Sequence, residues 1–208
     1  MDFLFLIVIL IFSVVLHEVS HGMVANALGD PTAKNAGRLT LNPLPHLDPV
    51  GSVLLPGFLI LLSQLTGGGI IFGWAKPVPV NPVNLRDKKY GSALVSLAGP
   101  ASNLALALVF GLALRFLPVA ELHPALLLVF GYIVVLNILL AVFNLLPIPP
   151  LDGSHILFTF LPRSFNALKL FLSQYGIFVL LFIIFFFFSF VSLVVDFLFY
   201  LIVGSSFF

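Results

Sequence analysis

Four stretches of this chain run too long without charge for a water-soluble fold. No Asp, Glu, Lys or Arg stands in Phe3–Leu16, Tyr90–Leu114, Pro124–Leu151 or Leu170–Val195. Each of the last three is long enough to cross ~30 Å of hydrocarbon as a helix. Composition agrees: of 208 residues, 61% are hydrophobic and only 8% charged. A soluble domain carries about 25% charged residues, so this chain could not cover a water-facing surface. In lipid every backbone polar group needs an internal partner, which restricts spanning segments to helices or closed barrels. The expected fold is an all-α polytopic membrane protein of about five to six transmembrane helices.

A net charge of +1 and the lack of a basic patch give no reason to expect a nucleic-acid partner. Cysteine is absent, which excludes disulfides and thiolate metal sites. The first apolar stretch is preceded only by Asp2 and followed by no small-residue cleavage site, so it reads as a retained helix.

Along the chain, helices are expected over Phe3–Leu28, Ser92–Leu114 and Ala125–Leu146, with a last apolar run over Gln174–Val203. "GDP" at 29–31 ends the first. Residues 32–51 are polar and rich in Pro and Gly, and "GRLTL" within them alternates like a short strand. Ser52–Leu65 is apolar but short for a span. A bend at Gly67–Gly69 and an extended re-entrant or interfacial β element over 70–81 complete the expectation.

Three ionisable groups interrupt the first helix in "VVLHEVSHGMVANALG". Each is costly at membrane depth unless it finds a partner. His17, Glu18 and His21 form H-E-x-x-H. Side chains four apart on a helix lie roughly 40° apart in azimuth and ~6 Å apart along the axis. Both imidazoles can therefore hold one Zn²⁺, with Glu18 beside them to take a proton from metal-bound water. In a shuffled chain with five His and two Glu, the motif is expected on the order of a thousandth of a time. The plain alternative is a pair of helix-end histidines facing headgroups.

A catalytic zinc takes three protein ligands and keeps one position open. His46, His123, His155, Asp48 and Asp152 are the available third donors. Asp152 stands out because it follows a helix broken by Pro147, Pro149 and Pro150 in "NLLPIPPLDG". Irregular backbone at membrane depth is tolerated only against protein or a water-filled cavity. The competing reading is an interfacial turn in which Asp152 caps the next helix.

"HEVSH" in a first core helix, "AGPASN" in a second and "NLLPIPPLDG" ending a third together resemble the site-2 protease family of intramembrane zinc metalloproteases. "NPLPHLDPVGS" and "FGWAKPVPVNPVNL" resemble its small bacterial or archaeal members without extra soluble domains. The resemblance covers residues 14 to 155. It implies one integral-membrane metalloprotease domain over 1–208, with the zinc-site core at 3–160 and C-terminal membrane helix or helices at 174–203. It implies one zinc per chain held by His17, His21 and Asp152, and Glu18 as general base. Asn144 is the implied oxyanion donor, and His46 is a second candidate. The expected function is hydrolysis of a peptide bond within or beside a transmembrane segment of another membrane protein, as in regulated intramembrane proteolysis. The alternative is a non-enzymatic channel or transporter whose histidines line an ion path. The expected location is the cell membrane. Lys34, Arg38, Arg86, Lys88, Lys89, Arg163 and Lys169 would then share the cytoplasmic side by the positive-inside rule. This puts the N-terminus outside and the zinc nearer the cytoplasmic face.

Overall fold

The structure is a computed structural model that describes residues 3–66, 73–117 and 123–205. It contains helices α1 (Phe3–Ala27), α2 (Thr32–Asn35), α3 (Leu55–Thr66), α4 (Gly91–Phe116), α5 (Pro124–Asn144), α6 (Asp152–Phe160) and α7 (Asn166–Val203), with no strand among the described residues. Four of them, α1, α4, α5 and α7, are long and apolar enough to cross a membrane. The 12 residues of α3 reach only about 18 Å.

Helix α4 is the centre of the bundle and packs against α1, α5, α6 and α7. Its sequence explains this position. Lipid tails are as apolar as leucine side chains, so helices in a membrane associate through close packing and interhelical hydrogen bonds. Gly91, Ala93, Ser96, Gly99, Ala107 and Gly111 form its buried face. A β-carbon on Gly111 would lie 2.4 Å from Ile202 Cγ2 of α7. Ala107, Val134 and Ile138 close over Val191, Val195 and Phe199 to make the largest apolar core.

Partners fix the helix directions. His17 meets Asn103 and His21 meets Val95, so α1 and α4 run antiparallel. Asn103 meets Asn137, and Ala107 packs with Val134, so α5 reverses again. The C-terminal half of α1 and the end of α5 therefore arrive at the same level. Helix α7 is one continuous helix of 38 residues, about 57 Å long and nearly twice the hydrocarbon thickness. Hydropathy does not choose a span within it, since Asn166–Phe187 and Ser189–Val203 are both apolar. Packing instead places Leu180 beside Ile148 and Leu151, and Val191–Phe199 beside α4 and α5. We assign the stretch from Leu180 onward to the bundle, because those contacts set its depth. The earlier turns extend past it, where Lys169 Nζ donates to Phe158 O and Leu161 O at the end of α6.

The expected β elements take a different form. "GRLTL" is a turn followed by irregular chain, and residues 73–81 carry no regular secondary structure and join no ladder. Gly67–Gly69 and residues 70–72 lie outside the described residues. Pro77 and Pro79 remove the donors a ladder needs. The remaining groups of this strap bond one at a time to separate elements. Trp74 N–H donates to Gly51 O and Lys76 N–H to His46 O. Arg38 Nη2 donates to Lys76 O, and Ser52 Oγ to Trp74 O. The strap is thus laid across the C-terminal end of α1, and two further N–H groups, those of Val78 and Asn81, reach Glu18 and Asp30 there.

Candidate metal centre

His17 and His21 project from one face of α1 toward α4. His21 Nδ1 lies 2.7 Å from Val95 O. A carbonyl can only accept, so Nδ1 carries the proton and Nε2 of the neutral ring carries the lone pair. His17 Nδ1 lies 2.6 Å from Asn103 Oδ1. The two Nε2 atoms face each other at 3.0 Å. Gly99 makes this approach possible: a β-carbon there would lie 2.4 Å from His21 Nε2 and 2.5 Å from His17 Nε2.

Asp152 completes the cluster from the other side. It is the first residue of α6, whose N-terminus has no side-chain cap, so Asp152 does not act as the capping residue of an interfacial turn. Its Oδ2 instead lies 3.1 Å from His17 Nε2 and 3.2 Å from His21 Nε2. The turn Leu145–Leu151 puts it there. A β-carbon on Gly153 would lie 2.2 Å from Leu145 O, so only glycine lets the start of α6 tuck under the end of α5. Gly176 of α7 likewise meets Pro149 O, which braces the turn from behind.

The three residues form a group that could hold a metal ion. Asp152 Oδ2 is buried and has no hydrogen-bond partner, a costly state for a carboxylate unless a cation neutralises it. The donor spacing fits such a cation. Ligands at the usual 2.0–2.1 Å from a tetrahedral zinc stand roughly 3.3 Å from one another, close to the 3.0–3.2 Å separations found. Two nitrogens and one oxygen with no sulfur also match the donor set of catalytic rather than structural zinc sites.

Glu18 lies one residue along α1 and accepts a hydrogen bond from Val78 N–H of the strap at 2.7 Å. Asp30, fully buried just beyond the end of α1, holds the strap further on. It accepts from Asn81 N–H at 2.6 Å and Asn84 Nδ2 at 2.9 Å, and from the N–H and hydroxyl of Thr32. Burial pushes its pKa up, but those four donors outweigh burial and hold the carboxyl below the ordinary range. The sequence marked this position only as a turn, since Asn81 and Asn84, which tie it to the strap, lie about fifty residues downstream.

The other candidates fall elsewhere. Asn144 is the last residue of α5, and its Nδ2 donates to Leu140 O at 3.0 Å. His46 is buried in the 40–48 loop with Nε2 3.0 Å from Thr40 O. Asp48 accepts from Val50 N–H and Gly51 N–H, capping the turn at Pro49–Leu54. His123 caps α5 by accepting from Ala125 N–H. His155 lies one turn into α6. None of them joins the group of His17, His21 and Asp152.

Fold and site together define a polytopic helical membrane protein with a His–His–Asp group between its helices. Residues 119–187 match the sequence model of peptidase family M50. "Putative zinc metalloprotease YwhC" of Bacillus subtilis is 40% identical over 183 residues, covering 85% of this chain and 78% of that protein. "Putative zinc metalloprotease Rip2" of Mycolicibacterium smegmatis is 40% identical over 143 residues, 68% of this chain and 51% of that protein. The Mycobacterium tuberculosis Rip2 is 38% identical over 141 residues, again 51% of its length. This chain thus spans about half the length of the mycobacterial relatives. No solved structure matches it. The chain belongs to peptidase family M50, the site-2 protease family.

Proposed function

We propose that this protein is a zinc metalloendopeptidase that hydrolyses a peptide bond within or beside a transmembrane segment of a membrane-protein substrate. The observation that carries the reading is the convergence of His17 and His21 from α1 and Asp152 from α6 onto one metal-sized gap inside a membrane bundle. His17, His21 and Asp152 hold the zinc in this reading. When bound, zinc supplies Lewis-acid polarisation of the substrate carbonyl and makes water acidic near neutral pH.

The chain's own groups do the rest. Glu18 takes the proton of the attacking water and returns it to the leaving nitrogen. Its bond to Val78 N–H occupies Oε2 and orients the carboxylate, leaving the other oxygen for that transfer. Asn144 serves as the oxyanion donor: one amide hydrogen goes to Leu140 O, and the amide carries a second. His46 supports the strap, since its carbonyl receives Lys76 N–H. The membrane orientation follows the charge bias, with the site nearer the cytoplasmic face and the N-terminus outside.

Purified protein in liposomes with a helical membrane substrate tests the reading. Glu18→Gln should abolish cleavage while one zinc per chain remains, because Glu18 is a base and not a ligand. Asn144→Ala should keep zinc and lower kcat by roughly 10²–10³, the usual loss for one oxyanion donor. Wild-type cleavage by Glu18→Gln overturns the proteolytic assignment. Normal kcat in Asn144→Ala removes that residue from the chemistry.

A further inference from the structure

Behind His17 lies a polar chain that the proposed reaction does not use. His17 Nδ1 faces Asn103 Oδ1 at 2.6 Å, and Asn103 Nδ2 donates to Asn137 Oδ1 at 2.8 Å. Asn137 Nδ2 donates to Ser13 Oγ at 2.9 Å and to Ile133 O at 2.8 Å. Asn103 Nδ2 also reaches Ser13 O at 3.4 Å. Asn103 and Asn137 are fully buried and Ser13 nearly so. The chain links α4, α5 and α1 at the depth of the candidate metal site.

The direction of every bond in this chain follows from one atom. Ile133 O can only accept, so the Asn137 atom facing it must be the amide nitrogen. The other Asn137 atom is then oxygen and must accept from Asn103. That makes the facing Asn103 atom its nitrogen and turns Asn103 Oδ1 toward His17. An amide oxygen cannot donate, so His17 Nδ1 must carry the ring proton. Ser13 O, a second acceptor-only atom, faces Asn103 Nδ2 and fixes the same orientation independently. Reversing either amide would set oxygen against oxygen between fully buried side chains.

We propose that Asn103 is a positioning residue: its amide, locked in one orientation by Asn137, holds the proton on His17 Nδ1 and so presents the Nε2 lone pair to the metal. The inference deepens the zinc reading and rests on it. Val95 O does the same for His21 directly. For His17 the acceptor on α4 is a side-chain oxygen rather than a backbone one. Groups that orient a metal-bound histidine typically contribute 10–100-fold in metal affinity, an order-of-magnitude expectation.

The test is the zinc dissociation constant of the full chain in detergent, measured by competition with a chromophoric chelator. Melting of the metal-free protein is followed alongside. Asn103→Leu should weaken zinc by about 10–100-fold. Asn137→Leu should weaken it too, though it touches neither zinc nor His17. Asn103→Asp should lose clearly less than Asn103→Leu, because a carboxyl oxygen still accepts from His17 Nδ1–H. Ser13→Ala should also stay close to wild type, since Ile133 O still fixes Asn137. A folded Asn103→Leu with wild-type affinity overturns the proposal, as does an Asn103→Asp loss equal to that of Asn103→Leu. If wild type binds no zinc, the metal reading falls. The ¹⁵N shifts of the His17 ring still decide the relay in that case: a protonated Nδ1 supports it and an unprotonated Nδ1 overturns it.

Discussion

Gly99→Ala should destroy the candidate metal centre while adding one methyl group. The new β-carbon would stand 2.4 Å from His21 Nε2, and 2.5 Å from both Nε2 and Cε1 of His17. Ordinary contact begins near 3.4 Å, so the overlap is about 1 Å, the scale at which overpacking costs roughly 1–3 kcal/mol. Neither ring can swing away cheaply. His17 is held by Asn103, and His21 by Val95 O, on the helix that carries Gly99. Parting α1 from α4 by that distance would break both bonds and open the spacing to Asp152. A misplacement of about 1 Å in a reacting constellation can cost on the order of 10² in rate. The expected result is loss of bound zinc, by elemental analysis of detergent-purified protein, with at least a hundredfold loss of cleavage. Gly57→Ala is the control, because nothing lies within 4 Å of a β-carbon there. It lies inside α3, where alanine is favoured by about 0.5–1 kcal/mol, so it should melt no lower than wild type. Full zinc and normal cleavage in Gly99→Ala would refute the close approach of α4 to the two histidines.

Two further outcomes follow from the strap and the charge pattern. The carboxyl of Asp30 is held below the ordinary range, so its contribution to stability is present above its unfolded pKa and fades as pH falls through the lower folded value. Wild type should therefore lose melting temperature more steeply than Asp30→Asn as pH falls below about 4, the ordinary carboxyl range; parallel melting curves would show that Asp30 does not hold the strap. In this Cys-free chain, Lys88→Cys should react with an impermeant maleimide only from the cytoplasmic side and Leu117→Cys only from outside. The reverse pattern would invert the proposed orientation.

How far the sequence could be read depends on the range of the interactions. Helices α1, α4 and α5 were legible to within a few residues, because an apolar run bounded by polar chain sets a span by its length alone. The H-E-x-x-H pair was legible because both histidines sit on one turn of helix. Asp152 needed the resemblance: spacing left five donors open, and its place depends on Gly153 fitting under Leu145 O. The strap was expected as a strand because its composition is extended, yet its partners are Glu18, Asp30, Arg38, His46, Gly51 and Ser52, none of which forms a ladder. The start of α7 was hidden by Lys169, whose amine looks like loop polarity but caps the end of α6. The order and direction of the Asn103–Asn137 pair depend on Ile133 O and Ser13 O, which no spacing in the sequence displays.

X-ray absorption at the zinc edge of the loaded protein tests the central claim most directly. The account predicts one zinc per chain, with two imidazole nitrogens and carboxylate or water oxygen at about 2.0–2.2 Å. In Asp152→Ala, zinc should fall well below one per chain. One zinc per chain in Asp152→Ala with an unchanged spectrum, or a wild-type spectrum with fewer than two imidazoles, would contradict the assignment of His17, His21 and Asp152 as the ligands.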